Sequence, residues 1–207
     1  MVIVPPWYFL VIGASLVIIV VGPKILSFDR METRTYNLLL GLAYIFTRIA
    51  PLAVLYMTGW TGWYDATHYF FPQASNVLAG QIPYLDFESH YGPYFSYLMA
   101  LFVLVYNDPR VIPLALIAFD FLTLVVSNMY VRKVFDAHGR RLFLWVYAFI
   151  PTLWFFTVRG NQDEILLAFF LTLSVLLVTM NREDAAGICM GLGFLFTKVL
   201  IAVFYLP

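Results

Sequence analysis

An all-α, polytopic membrane bundle is the fold class that three features of this sequence predict. The 207 residues are 62% hydrophobic and only 12% charged. A soluble domain of this size carries about twice that charged share. Mean hydropathy is +0.85. The apolar residues fall into long runs, and the charges gather in short connectors between them. The chain therefore reads as a single transmembrane domain over residues 1–207, with about six spans and a large extracytoplasmic loop at 59–110. It ends inside an apolar run, Tyr205-Leu206-Pro207, which reads as the N-terminal part of a longer protein.

Six runs have the composition of crossing helices: residues 7–21, 37–57, 111–130, 142–158, 165–180 and 185–206. Several fall short of the ~20 residues that a span needs and must borrow flanking positions. A seventh run, 94–106, is closed by Asn107-Asp108-Pro109-Arg110. At ~1.5 Å per residue it reaches roughly 20 Å, short of a ~30 Å hydrocarbon core, so it reads as an interfacial or re-entrant helix. The start, Met1-Val2-Ile3-Val4-Pro5-Pro6, has no basic residue and does not resemble a cleavable signal peptide.

Charge sets the orientation. The connectors 24–34 and 132–141 hold seven of the twelve basic residues: Lys24, Arg30, Arg34, Arg132, Lys133, Arg140 and Arg141. The positive-inside rule places both in the cytoplasm. The alternation then works only if 94–106 does not cross, which agrees with its length. The loop 59–110 and the connector Arg159-Gly160-Asn161-Gln162-Asp163-Glu164 fall outside, on one face. Localisation is thus an integral, multi-pass membrane, the plasma membrane if prokaryotic, with the polar face extracytoplasmic.

Net charge is zero, so no nucleic-acid partner is suggested. The single cysteine, Cys189, excludes an intramolecular disulfide and argues against a thiol-ligated metal. The outer loop carries Asp65, Asp86 and Glu88, with His68 and His90, among many aromatic side chains. Lipid cannot satisfy so many polar groups, and aromatic rings favour the headgroup level. Asp65 precedes a helical pattern over 66–79 that stops at Gly80; it reads either as a simple N-cap or as a general base. His68 reads as facing headgroups. Asp86, Glu88 and His90 alternate, which in an extended stretch puts them on one side; a solvated polar edge explains them equally well.

Arg159 alone would be an interfacial anchor and Asp163 alone an N-cap, yet six consecutive polar or glycine positions are less natural for either. Arg159 and Lys198 facing one pocket would suit a phosphate. Lys198 lies about thirteen residues into the last run, ~20 Å along it, in the outer half. Arg48 and Asp120 sit midway along the second and third runs, each costing about 2.5–3.5 kcal/mol on an insertion scale. They read as a structural ion pair.

Asp65 and Tyr69, then Gly80-x-x-Pro83-Tyr84, then Tyr91-x-Pro93, resemble the first extracytoplasmic loop of GT-C glycosyltransferases. The later Arg159-Gly160-Asn161-Gln162-Asp163 is similar to that family's Arg-Gly-Asn/Gln-x-Asp turn. Gly191-x-Gly193 before Thr197-Lys198 is similar to its Gly-rich helix ending in a lysine. The likeness is strongest to the mannosyltransferases that use polyprenyl-phosphate mannose. It implies a donor of the polyprenyl-phosphate-sugar class, a hydroxyl acceptor and transfer with inversion. Asp65 would take the acceptor's proton. Arg159 and Lys198 would stabilise the leaving phosphate, and Tyr69, Glu88, His90, Tyr91, Gln162 and Asp163 would bind substrate. One acid stands where several relatives carry Asp-x-Asp or Asp-Glu, so no metal or other cofactor is carried over. The span at 7–21 precedes the usual first helix. The competing class is a transporter or a carrier-lipid-binding protein without catalysis, in which Arg48, Asp120 and Lys198 would line a path or headgroup site. A third is a structural membrane subunit, against which the one-sided polar residues argue.

Overall fold

The computed structural model describes residues 6–59 and 65–197. Among them the chain is all-α, with nine helices and no strand. Helix α1, Pro6–Ile25, opens on a proline, whose missing N–H is one that a first helical turn leaves unbonded in any case. It meets the later helix α6, Ala137–Phe149, where Trp145 donates from Nε1 to the Ile18 carbonyl at 3.1 Å. A Cβ on Gly22 would stand 2.9 Å from that indole, so only glycine lets the two helices come so close.

The connector after α1 is held from several sides. Phe28 is buried between the rings of Tyr36 and Trp145, at 5.3 and 5.2 Å. Arg141 donates to the carbonyls of Phe28 and Met31. Asp29 meets His138. These contacts fix the two basic connectors at the same end of the bundle.

Helix α2, Thr33–Met57, is 25 residues long and contains one π turn at Ile45–Ile49. Helix α3 begins as a π turn, Ala66–Phe70, continues as Phe71–Leu78, and is closed by Gly80 at φ +85°. Its Gln73 is buried and accepts from Ser89 at 3.1 Å and Ser96 at 2.9 Å. One side chain so ties α3 to the following loop and to α4, Phe95–Val105. Helix α5, Val111–Val134, packs on α4, α6 and α8 and supplies much of the buried core. After α6 come α7, Pro151–Arg159, then α8, Glu164–Thr179, and α9, Glu183–Phe196, which pack against each other.

One expected span needs correction. The run at 142–158 is not one straight helix: α6 starts earlier, capped by Asp136, and bends by 40° into α7 at Pro151. A proline has no N–H to give to the carbonyl four residues back, here that of Tyr147. In the run at 185–206 the described helix reaches Phe196 and Thr197 is extended (φ −131°, ψ −161°); residues 198–206 lie outside the described residues. By length and composition, α2 and α5 can each cross a membrane, and α6 with α7 makes a third if the bent pair is one span. Helix α4, with 11 residues, covers about 16 Å at ~1.5 Å per residue, which leaves it well short.

The bend explains the buried charges. Arg48 and Asp120 are both fully buried, and Arg48 Nε donates to Asp120 Oδ2 at 2.9 Å, the pairing expected of them. The guanidinium also donates from Nη1 to the Ala148 carbonyl at 3.1 Å and from Nη2 to the Tyr147 carbonyl at 3.3 Å. Those are the carbonyls that the break at Pro151 leaves without helical donors. Tyr147 Oη closes the network on Asp120 Oδ1 at 2.7 Å. Arg48 is thus the C-terminal cap of α6, supplied from a π turn of another helix.

Candidate functional site

The bend aims α7 so that the turn after it reaches α3. Helix α7 ends in a π turn, Phe155–Arg159. Asn161 then adopts φ +53°, a left-handed conformation that Asn tolerates better than most residues. Its buried amide nitrogen donates back to the Thr157 and Val158 carbonyls at 3.3 and 3.2 Å, closing the helix end. Gly160 has the Phe155 carbonyl only 3.0 Å from where a Cβ would stand. The Gly-Asn pair is therefore a local device that presents Gln162.

Gln162 Nε2 donates to Asp65 Oδ2 and also to the Gly160 carbonyl at 3.1 Å. Segments 97 residues apart meet in that hydrogen bond. Asp65 is not an N-cap, the simple alternative the sequence allowed. Its backbone is already helical (φ −67°, ψ −40°) and its carboxylate caps nothing in α3. Asp163 likewise is helical (φ −71°, ψ −12°), gives α8 no side-chain cap, and is buried.

Tyr91 joins this cluster from the loop. Its ring is packed between Phe70, edge-on at 5.1 Å, and Phe95, stacked at 4.6 Å. Burial holds its hydroxyl above the ordinary tyrosine range, and the charges of Asp163 and Asp65 push the same way, followed by Tyr69 and Glu164. The hydroxyl stays protonated and can act as a donor. Tyr69 is half-buried on the π turn of α3, and Arg159 is half-buried at the end of α7. Asp65, Tyr69, Tyr91, Arg159, Gln162, Asp163 and Glu164 thus gather at the end of the bundle opposite the basic connectors.

Other candidates are placed differently. Glu88 and His90 are 85% and 65% exposed and stand 4.0 Å apart. Ser89 between them points inward to Gln73, so the alternation around it holds. Asp86 does not share their extended stretch. It lies in a turn, accepting from the Ile82 N–H at 2.7 Å, while Tyr84 beside it takes φ +66°. His68 is exposed, with its Nδ1 2.9 Å from Thr67 Oγ1. Lys198 lies outside the described residues. Its neighbour Thr197 accepts from the Gly92 N–H, and Leu195 accepts from the Tyr94 N–H at 3.0 Å. The end of α9 therefore docks beside Tyr91. Gly92 must be glycine, because a Cβ there would collide with the Leu195 backbone oxygen.

Among the described residues no three His, Cys, Asp or Glu side chains form a group able to hold a metal ion. The roles that sequence reasoning missed are those of Gln73, Asn161 and the capping half of Arg48; Asn161 stood inside the quoted turn pattern, whereas Gln73 and the capping by Arg48 carry no distinctive local pattern. In class, the chain is an all-α bundle with a carboxylate–amide–phenol cluster at one end. Compared with known proteins, it matches no family model, no curated protein and no solved structure.

Proposed function

We propose that the protein is a membrane glycosyltransferase of the GT-C kind, moving a mannose-like hexose from a polyprenyl-phosphate sugar to an acceptor hydroxyl on the extracytoplasmic face, with inversion. The observation that carries the reading is the hydrogen bond of Gln162 to Asp65, with Tyr91 and Asp163 in the same cluster. The amide fixes one carboxylate oxygen, which orients the other toward an incoming hydroxyl. That is the positioning a general base requires. Arg159, and Lys198 two residues after α9 in sequence, supply the positive charge for the departing phosphate. Glu88 and His90 form the outer rim. The spans are α1, α2, α5, the bent α6–α7, α8 and α9, six in all, with α4 at the outer surface. Strongly exposed apolar side chains such as Leu10, Phe46 and Leu104 support that reading, since water would penalise such a surface.

Membranes containing the protein, incubated with a radiolabelled polyprenyl-phosphate sugar, test it. Transfer is expected to collapse in Asp65→Asn while donor binding survives, because the amide keeps the shape and loses the base. Lys198→Ala is expected to weaken donor binding as well. Full activity in Asp65→Asn would remove the catalytic assignment. The bend between α6 and α7 favours a second reading, a transporter without catalysis, because broken helices line transport paths. In that case flux of the lipid-linked sugar, without transfer, would follow the protein.

A further inference from the structure

At the opposite end from Asp65, a cavity of about 780 Å³ lies between α1, its connector and α6. Its wall has two chemistries. Val20, Leu142 and Val146 form a hydrocarbon half along the helices. Lys24, Arg30 and His138 form a polar half at the connector. The acid on this wall, Asp29, is engaged by His138 Nδ1. That pairing blunts its repulsion of an anion. The connector that carries Arg30 is built, not loose. Arg141 binds two of its carbonyls, Phe28 is buried under it, and Ser27 takes φ +49° to turn the chain.

We infer that this cavity binds an anionic glycerophospholipid, its phosphate against Lys24 and Arg30 and an acyl chain along Val20, Leu142 and Val146. A phosphodiester next to an ammonium and a guanidinium gains charge-assisted hydrogen bonds. A polar-only ligand would leave the hydrocarbon half wet, and an apolar one would leave the cations unused, so only an amphiphile answers both halves. The open side supports a lipid as the source. Val20 is 61% exposed and Ile25 75%, so the apolar wall continues out to the surface along α1. The inference rests on the membrane reading but not on glycosyl transfer. It stands if the chain proves to be a transporter.

The test uses the full chain in a neutral detergent, with the thermal unfolding midpoint as readout. A ligand that binds only the folded form raises that midpoint by mass action. Micelles containing phosphatidylglycerol are expected to raise it more than micelles containing phosphatidylcholine, and more than inorganic phosphate. The extra rise is expected to vanish in the variant carrying Lys24→Ala and Arg30→Ala. Both side chains are exposed, so that variant folds. The rise is expected to remain in a variant carrying Arg132→Ala and Lys133→Ala, which removes two exposed cations that do not line the cavity. Phosphatidylcholine has the same phosphodiester with a cationic choline beside it, so an equal rise would overturn the preference for an anionic headgroup. An equal rise with inorganic phosphate would overturn the lipid as occupant. Equal loss in both double variants would reduce the effect to diffuse surface charge and overturn the site.

Discussion

Arg48 illustrates how much one buried charge can organise. Its guanidinium meets one carboxylate and two carbonyls, so each of its three nitrogens donates a hydrogen bond. Truncating it strands Asp120 in the core and uncaps α6 at once. Arg48→Met is expected to destabilise the bundle by about 3–5 kcal/mol, as removing one partner of a buried pair does. Asp120→Leu is expected to cost about the same. The double variant should recover part of the loss, but not all of it. The Tyr147 and Ala148 carbonyls still lack a donor, and each unsatisfied buried group costs about 1–3 kcal/mol. Unfolding in detergent measures all three variants. Simply additive costs would show that the pair is not coupled.

At the scale of elements, the decisive contacts are between segments that no helix pattern connects. The loop at 91–94 lies against the end of α9 through two backbone hydrogen bonds, and Gly92 is the point of closest approach. Gly92→Ala adds a Cβ where a backbone oxygen already stands, and backbone cannot move aside as a flexible side chain can. A loss of about 1–3 kcal/mol is expected, the usual cost of overpacking. Gly41→Ala in α2 is the control. Nothing lies within 4 Å of its Cβ position, and alanine is the better helix former by about 1 kcal/mol. Its thermal midpoint should stay level or rise. If Gly92→Ala behaves like Gly41→Ala, the docking of α9 beside Tyr91 is not tight.

The whole molecule has two chemically distinct ends. Asp65, Tyr91 and Gln162 lie at one, and Lys24, Arg30, Arg132 and Lys133 lie at the other. The length of α2, 25 residues or about 37 Å at ~1.5 Å per residue, separates them. That span exceeds a hydrocarbon core of ~30 Å. In the proposed topology the two ends face opposite sides of the membrane. With Cys189 replaced by alanine, a cysteine at Glu88 should react with an impermeant maleimide added outside intact cells. A cysteine at Lys133 should react only after the membrane is opened. Both positions are exposed, so access and not burial decides the labelling. Reaction of both from the same side would reject the arrangement.

The all-α class, the approximate helices and two candidate spans, 33–57 and 111–134, were legible in the sequence, because apolar runs are local and additive signals. Arg48 and Asp120 could be paired from depth alone, since a buried charge needs an opposite one. The sequence also brought Asp65 and the turn at 159–164 to one face. It could not say that Gln162 is the residue that reaches Asp65, nor that Asp65 and Asp163 leave their helices uncapped. Those facts depend on the 40° bend at Pro151 and on the Asn161 turn. The bend has a local cause in Pro151, but its cap by Arg48 joins segments about 100 residues apart. Local periodicity carries no record of such long-range geometry, so only the tertiary structure decided which polar side chains meet.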